Sequence, residues 1–299
     1  MGGAGFRLDR LVSVYVCHAL ARIGVRRTSA GIPVLMYHSI SEEPEAGVTP
    51  YYRTVTHPDV FHNHMHYLRA QHYTVLNLED AVTTLQAGGN SQKKYVVLTF
   101  DDGLRDFYTT AFPMLKQHGF TATMFVPTGL INAGQPIKGK AVMTWEEMRE
   151  LQRQGIQFGS HTVTHPHLHS LPLEEVQSEL ETSKAHLEEQ LGTSIQAFCY
   201  PYAFPEDQRP FTQALKAIMV QAGYQYATGT RIGTFKPGDD PYFIKRIPMN
   251  SCDDLQLLRA KLAGAYDWLH YPQLAYKTCK QYITPKPQTP LKHGERFYE

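Results

Sequence analysis

The chain has 299 residues, with 29 Lys plus Arg against 28 Asp plus Glu, a formal net charge of +1, 42% hydrophobic residues and 15 His. That length suits one large α/β domain, the apolar fraction excludes a disordered chain, and the near-zero charge carries no signature of nucleic-acid binding. The four cysteines, Cys17, Cys199, Cys252 and Cys279, form no C-x-x-C pair, so they read as plain thiols rather than a zinc knuckle or a disulfide framework.

In chain order, the first feature is the apolar stretch over residues 11–21. It is shorter than the roughly 20 residues that cross a bilayer. Its Ala19-x-Ala21 ending fits a signal-peptide core, but Asp9 precedes it and His18 interrupts it. The rival reading is an amphipathic helix with Leu8, Leu11, Val12, Tyr15, Val16, Ala19 and Ile23 on one face, flanked by Arg7, Arg10, Arg22, Arg26 and Arg27. Such a helix either docks on the domain or makes peripheral contact with a membrane, which favours a cytoplasmic or membrane-peripheral location over secretion.

From Pro33 the chain alternates short β-rich runs with helical periods. Strands are expected near Val34–Tyr37, Thr74–Leu76, Tyr95–Phe100, Thr121–Val126, Gln157–Gly159, Ala197–Tyr200, Tyr224–Ala227 and Phe243–Ile247. Helices are expected near 58–71, 79–87, 105–118, 144–154, 173–191, 210–222 and 253–263. Seven or eight consecutive βα units favour a closed barrel over two open sheets. The chain therefore divides into an N-terminal segment over 1–32, a barrel over 33–265 and a C-terminal extension over 266–299. From about Gln281 the alternation of Pro285, Pro287 and Pro290 with lysines reads as an extended tail.

In α/β barrels the chemistry collects at the carboxyl ends of the strands. Polar residues at or just past the carboxyl ends of the expected strands are Tyr37-His38, Asp101-Asp102-Gly103, Ser160-His161 with His165 beyond, Pro201-Tyr202, and Arg246. Adjacent carboxylates at the end of a buried strand repel unless a cation or a shared proton compensates. His161 and His165 are four residues apart, so in a helical turn both imidazoles would point the same way, as a metal chelate requires. Two histidines and one carboxylate supply the three protein ligands of an open catalytic site of the zinc type.

Thr99-Phe100-Asp101-Asp102-Gly103 and Ser160-His161-Thr162-Val163-Thr164-His165-Pro166 resemble the first two motifs of the NodB-type polysaccharide deacetylases, carbohydrate esterase family 4. Further matches are Pro33-Val34-Leu35-Met36-Tyr37-His38-Ser39-Ile40, Met143-Thr144-Trp145 and Phe198-Cys199-Tyr200-Pro201-Tyr202, so the resemblance covers about residues 33–263. It implies a distorted (β/α)7 barrel and metal-dependent removal of N-acetyl groups from amino sugars of a glycan. It further implies Asp102, His161 and His165 as ligands of a divalent ion, most readily zinc, with cobalt, nickel or iron as alternatives. Asp101 would be the general base, and the backbone N–H of Tyr202 after Pro201 would hold the oxyanion. In the branch that shares the Met-Tyr-His opening, His38 is the candidate acid for the leaving amine.

The chain also departs from the family pattern. Many members carry an Arg shortly before the Pro of the third motif; here those positions are Phe198, Cys199 and Tyr200, and Arg246 is the candidate to brace Asp101 instead. Ala203 replaces the usual Gly, and no convincing Leu-x-His motif, one with the right strand context, is found near the C-terminus; Leu269-His270 lies in the tail and lacks that context. His62, His64 and His66 lie on one expected helix and should be mostly solvated, while His167 and His169 read as loop residues or supports of the site. Tyr51, Tyr52 and Trp145 could stack on sugar rings, although Trp145 at a helix start favours packing. Two other functions stay open: the same metal site acting on a non-sugar C–N bond of a small molecule, and a non-catalytic glycan-binding relic.

Overall fold

The run Tyr95-Val96-Val97-Leu98-Thr99-Phe100 has the continuous apolar, β-branched character of a strand buried on both faces of a parallel sheet. In a computed structural model, which describes residues 7–22, 31–88 and 92–275, it is the strand on which the architecture turns. Ten strands are described: β1 (Val34–Tyr37), β2 (Ser39–Ile40), β3 (Val55–Thr56), β4 (Tyr73–Leu76), β5 (Lys94–Phe100), β6 (Thr123–Val126), β7 (Gln157–Ser160), β8 (Ala197–Cys199), β9 (Tyr226–Ile232) and β10 (Ile244–Pro248). The order β1-β10-β9-β8-β7-β6-β5 closes on itself because β1 also pairs with β5, giving a seven-stranded parallel barrel. Strand β4 pairs with the first half of β5 (Leu76 beside Val97) and β6 with its last residues (Thr99 beside Thr123). Since β1 occupies the other edge at Val97, β4 and β6 share one edge of β5. That sharing is the distortion of the barrel.

Alternation along the strands then places the site. Val34, Val97, Phe125, Ala197 and Ile244 form one buried cluster, and their strand neighbours Leu35, Leu98, Met124, Phe198 and Ile247 belong to another. The first cluster fills the barrel, sealed by Leu78, Ala81, Val82 and Leu85 of the helix Leu78–Gln86; the second lies under the outer helices. A period of two carries the inward register from Val97 through Thr99 to Asp101, from Ala197 to Cys199, from Ile244 to Arg246 and from Val34 to His38. The barrel is narrow: a Cβ on Gly159 would stand 2.6 Å from the Phe125 ring and 2.9 Å from Ala197.

All eight expected strands and the expected outer helices occur, with ends shifted by a few residues. The pair β2 and β3 and the short helix Thr128–Asn132 were not expected. The packed unit continues beyond residue 265, since Tyr266 and Leu269 are buried; the expected tail lies outside the described residues. Two expectations are corrected. His64 is fully buried, not solvated: Nδ1 meets the Tyr37 hydroxyl at 3.0 Å and Nε2 the Asp253 carbonyl at 2.6 Å. The N-terminal segment, helical from Leu8 to Arg22 with a π-helical stretch at Val12–Cys17, docks through the face opposite the expected one. Asp9 accepts from the Tyr266 hydroxyl (2.8 Å), Ser13 from the Trp268 indole (3.0 Å), and Cys17 packs on Ala260 and Ala265. Leu8, Leu11, Tyr15 and Val16 of the apolar face are exposed, while Val12 packs inward and Ile23 lies outside the described residues. Among the described residues no helix is long and apolar enough to cross a membrane.

Candidate active site

Asp101 sits at the end of β5, 2% exposed, against Arg246 of β10, 1% exposed. Arg246 Nη1 donates to Asp101 Oδ1 at 2.7 Å and Nη2 to Oδ2 at 2.8 Å, a two-point fork. The remaining donors are also used: Nε to the Gly229 carbonyl (2.9 Å), Nη1 to the Thr99 hydroxyl (3.2 Å) and Nη2 to Cys199 Sγ (3.1 Å). All five guanidinium N–H groups thus have partners, which is the condition for burying this cation. Burial works to raise the Asp101 pKa, but the Arg246 charge and fork, with His38 and His161, hold it well below the usual carboxylate range. Cys199 occupies a position two residues before Pro201, and its small side chain admits the Arg246 head from the neighbouring strand.

Asp102 turns away from this pair because its backbone is left-handed (φ 77°). Its Oδ1 lies 3.7 Å from His161 Nε2 and 3.5 Å from His165 Nε2, and the two Nε2 atoms are 3.2 Å apart. Two ligand atoms held about 2.0–2.1 Å from one tetrahedral ion stand roughly 3.3–3.4 Å from each other, so the three atoms fit a single divalent cation. The imidazoles are in the protonation state that binding requires. Burial first, with the neighbouring His165, lowers His161 to about 4, and burial lowers His165 to about 4. His161 Nδ1 lies 2.8 Å from the Cys199 carbonyl, to which it donates, leaving the Nε2 lone pair for the ion. A second group, Asp101, His161 and Cys199, also converges, but Arg246 occupies it and burial pushes the Cys199 thiol up. Asp102, His161 and His165 are the set that suits a metal.

The expected helical turn between the two histidines is absent. Residues 162–165 form a loop in which Thr162 (φ 70°) and His165 (φ 55°) are left-handed, and that reversal brings the rings together. Of six described non-glycine residues with positive φ, Asp102, Thr162, His165 and Tyr202 are at this site, a concentration of backbone strain that marks functional geometry. The loop is held by groups the sequence did not single out. Glu179 of the helix Leu173–Leu191 accepts from Val163 N (2.7 Å), Thr164 N (3.0 Å) and the Thr164 hydroxyl (2.7 Å). From the other side Thr128 N and Gly129 N donate to the carbonyls of Thr162 and Val163 at 3.1 and 2.9 Å. Gly129 is required there, since a Cβ would meet the Val163 carbonyl oxygen at 2.8 Å. An acidic residue on an amphipathic helix and a Gly after Pro-Thr carry no sequence signal of this duty.

The other expected residues gather at the same mouth. His38 Nε2 is 3.8 Å from Asp101 Oδ2, and His38 and Asp102 line one cleft with Glu43, Lys138 and Lys140. Tyr202, after Pro201, is left-handed (φ 56°), and its backbone N–H has no hydrogen-bond partner among the described residues. Its ring lies edge-on to His165 (4.6 Å) and stacks on His167 (3.9 Å). His169 Nδ1 meets the Tyr200 hydroxyl at 3.3 Å, so His167 and His169 support the site without belonging to the ligand set. Trp145 bonds Asn132 (2.9 Å) and packs on the core, as a helix start would predict.

Comparison with known proteins places this arrangement among relatives. The polysaccharide deacetylase profile matches residues 88–227. YxkH of Bacillus subtilis, named for the same family, is 31% identical over 218 residues, 73% of this chain and 71% of that protein. A poly-β-1,6-N-acetyl-D-glucosamine N-deacetylase of Staphylococcus aureus is 24% identical over 171 residues, 53% of this chain and 56% of its own length. The chain thus spans little more than half of the staphylococcal relative. Among solved structures, the Streptococcus pyogenes deacetylase PplD, in complex with acetate, superposes with a TM-score of 0.69 at 28% identity over 79% of this chain and 99% of that one.

Proposed function

We propose, from the premise that this chain belongs to the polysaccharide deacetylase family, that it removes N-acetyl groups from amino sugars of a poly- or oligosaccharide at a divalent ion held by Asp102, His161 and His165. The observation that carries this reading is the separation of two adjacent carboxylates into different duties. Asp102 faces the two neutral imidazoles, and Asp101 is held ionised by Arg246. A bound divalent ion supplies a Lewis acid for the amide carbonyl and lowers the pKa of the attacking water. Asp101 then accepts the proton of that water. The N–H of Tyr202 receives the developing oxyanion. His38, at the edge of the cleft, delivers a proton to the amine nitrogen as the C–N bond breaks, so one proton enters the protein and one leaves it. Zinc is the proposed ion, because two imidazoles, one carboxylate and a tetrahedral spacing suit it.

The proposed substrate is a neutral N-acetylated glycan, of the kind named for the staphylococcal relative. A chain of net charge +1 offers no strong field to attract a charged polymer. The exposed stripe of Leu8, Leu11, Tyr15, Val16 and Leu20 supports peripheral contact of the N-terminal helix with a membrane surface.

Asp101→Asn tests the reading. The variant should keep its zinc and lose acetate release from N-acetylglucosamine oligomers by at least about 10²-fold in kcat. Wild-type turnover in that variant would remove Asp101 as the base. His38→Ala should lower kcat by about 10²-fold with KM nearly unchanged, and the loss should shrink for an acetate ester whose leaving alcohol needs less protonation. An unchanged kcat would take His38 out of the chemistry.

A further inference from the structure

Around the ring β1-β10-β9-β8-β7-β6-β5, strand β8 stands three steps from β1 and three from β5, so Tyr202, after β8, faces His38 and Asp102 across the mouth. A glycan that presents an acetamido group to Asp102, His161 and His165 can therefore extend towards either side. The two sides differ. On the β8 side Tyr202 is 42% exposed, and its ring stacks on that of the exposed His167. On the β1 and β5 side lies the cleft with His38 and Asp102, about 210 Å³ in volume, between two walls. One wall is the segment 41–54 between β2 and β3, where Glu45 accepts from Thr54 N (2.9 Å), Val55 N (2.8 Å) and the Thr54 hydroxyl (3.0 Å). The other is a hairpin in which Ile137 and Lys140 exchange two backbone hydrogen bonds of 2.9 Å, turned by left-handed Lys138 (φ 49°) and Gly139 (φ 77°). Arg105 N and Met143 N fasten it to the end of β5 through the Ala141 and Gly103 carbonyls, Arg105 donating at 2.8 Å and Gly103 accepting at 2.9 Å. Lys140 joins the walls: its Nζ donates to Ser41 Oγ at 2.8 Å and to Glu43 Oε2, and its side chain is 16% exposed.

We infer that the protein takes the terminal sugar of an N-acetylated glycan: the end unit occupies the cleft beside His38, and the rest of the glycan leaves over Tyr202 and His167. The inference rests on the deacetylase reading of the same site and adds to it the position of the reacting unit. The cleft is smaller than the roughly 300 Å³ at which pockets for drug-sized ligands begin, so it holds one sugar ring and not a run of them. An internal unit would have to continue its glycan through the wall where Lys140 spans Ser41 and Glu43. That passage breaks an ion pair and its hydrogen bonds, a barrier raised against the wrong substrate rather than an attraction for the right one. On the opposite side the exposed rings of Tyr202 and His167 offer the apolar face of the next sugar a surface to stack on. Once its end unit has lost acetate, a glycan that rebinds fills the cleft with a unit that has nothing left to release.

The test is the position of the free amine in N-acetylglucosamine oligomers of defined length, labelled at the reducing end and mapped by mass spectrometry after incubation with the zinc-loaded full-length protein. The wild type should release about one acetate per oligomer whatever the length, with the amine on one terminal unit. Lys140→Ala should raise release from internal units at least about 10-fold, while release from the terminal unit stays within about threefold of wild type. Ser41→Ala combined with Glu43→Ala removes the same bridge from the opposite wall and should act alike, so a folding defect in one variant does not decide the outcome. Internal amines made by the wild type, or an unchanged end preference in bridge variants that keep the wild-type Tm, would overturn the inference. Absence of acetate release from every glycan in the wild type would instead be the failure of the deacetylase reading, and would take this inference with it.

Discussion

His161→Ala and Asp102→Ala are expected to lose the mouth metal ion and to release acetate at least about 10³-fold more slowly than the wild-type chain. Each substitution leaves two ligands where an open catalytic site needs three, and the chemistry requires both the ion and its orientation. His161 carries the larger structural duty of the two, because its Nδ1–H is also the partner of the Cys199 carbonyl. His161→Ala should therefore cost about 1–3 kcal/mol of stability as well, through the orphaned carbonyl and the space left behind. Asp102→Ala should cost less, and relief of its left-handed backbone would not follow, since Ala is no better suited to φ 77° than Asp. Metal content and acetate release, measured together, separate the two roles: activity without the ion would contradict the assignment.

Arg246→Met should be the most damaging single change to the fold near the site. It leaves Asp101 buried at 2% exposure without its partner, and breaking such a pair costs about 3–5 kcal/mol. The sign of its pH dependence is diagnostic. In the wild-type chain the folded pKa of Asp101 is held below the unfolded value of about 3.9, so its contribution is present above that pH and lost as pH falls through the folded value. Without Arg246, burial is left as the dominant influence and the folded pKa rises above the unfolded one. Stability of Arg246→Met should then increase as pH is lowered from 7 towards 5, opposite to the wild-type direction at that carboxylate. Arg246→Met combined with Asp101→Asn should recover part of the stability and none of the turnover. Urea unfolding at pH 7 and pH 5 with acetate release checks both statements, and an unchanged Cm in Arg246→Met would contradict them.

What could be read from the sequence was what local pattern encodes. The βα alternation gave eight strands, the strand-end filter gathered His38, Asp101, Asp102, His161, His165, Tyr202 and Arg246, and the period of two explains why those residues meet. The parts that were not legible depend on backbone conformations and tertiary partners. Thr162 and His165 adopt left-handed conformations that no residue type there announces, so the four-residue spacing suggested a helical turn where a reversed loop stands. His64 resembles His62 and His66 in the sequence, and only Tyr37 and Asp253, contributed from distant segments, bury it. The five-residue helix Thr128–Asn132 is too short to show a period, yet its first N–H groups hold the loop over 162–165. The N-terminal helix docks through Asp9 and Ser13, which meet a hydroxyl and an indole, and through Cys17, which packs on two alanines; hydrophobic periodicity cannot register such polar partners.

Arg246 joins the two levels. Its place near the carboxyl end of the last strand was visible, and so was the lack of an Arg shortly before Pro201. The two-point fork to Asp101 and the accommodation by Cys199 belong to the closure of β10 against β1 and β9, which brings the C-terminal strand beside β5 through β1.

The most direct measurement is acetate release by the wild-type chain from N-acetylglucosamine oligomers of β-1,6 and β-1,4 linkage, zinc-loaded and after chelation. The account predicts release that depends on the ion and returns when zinc is restored. Undiminished release after complete removal of the metal, or none from any N-acetylated glycan when zinc is bound, would contradict it.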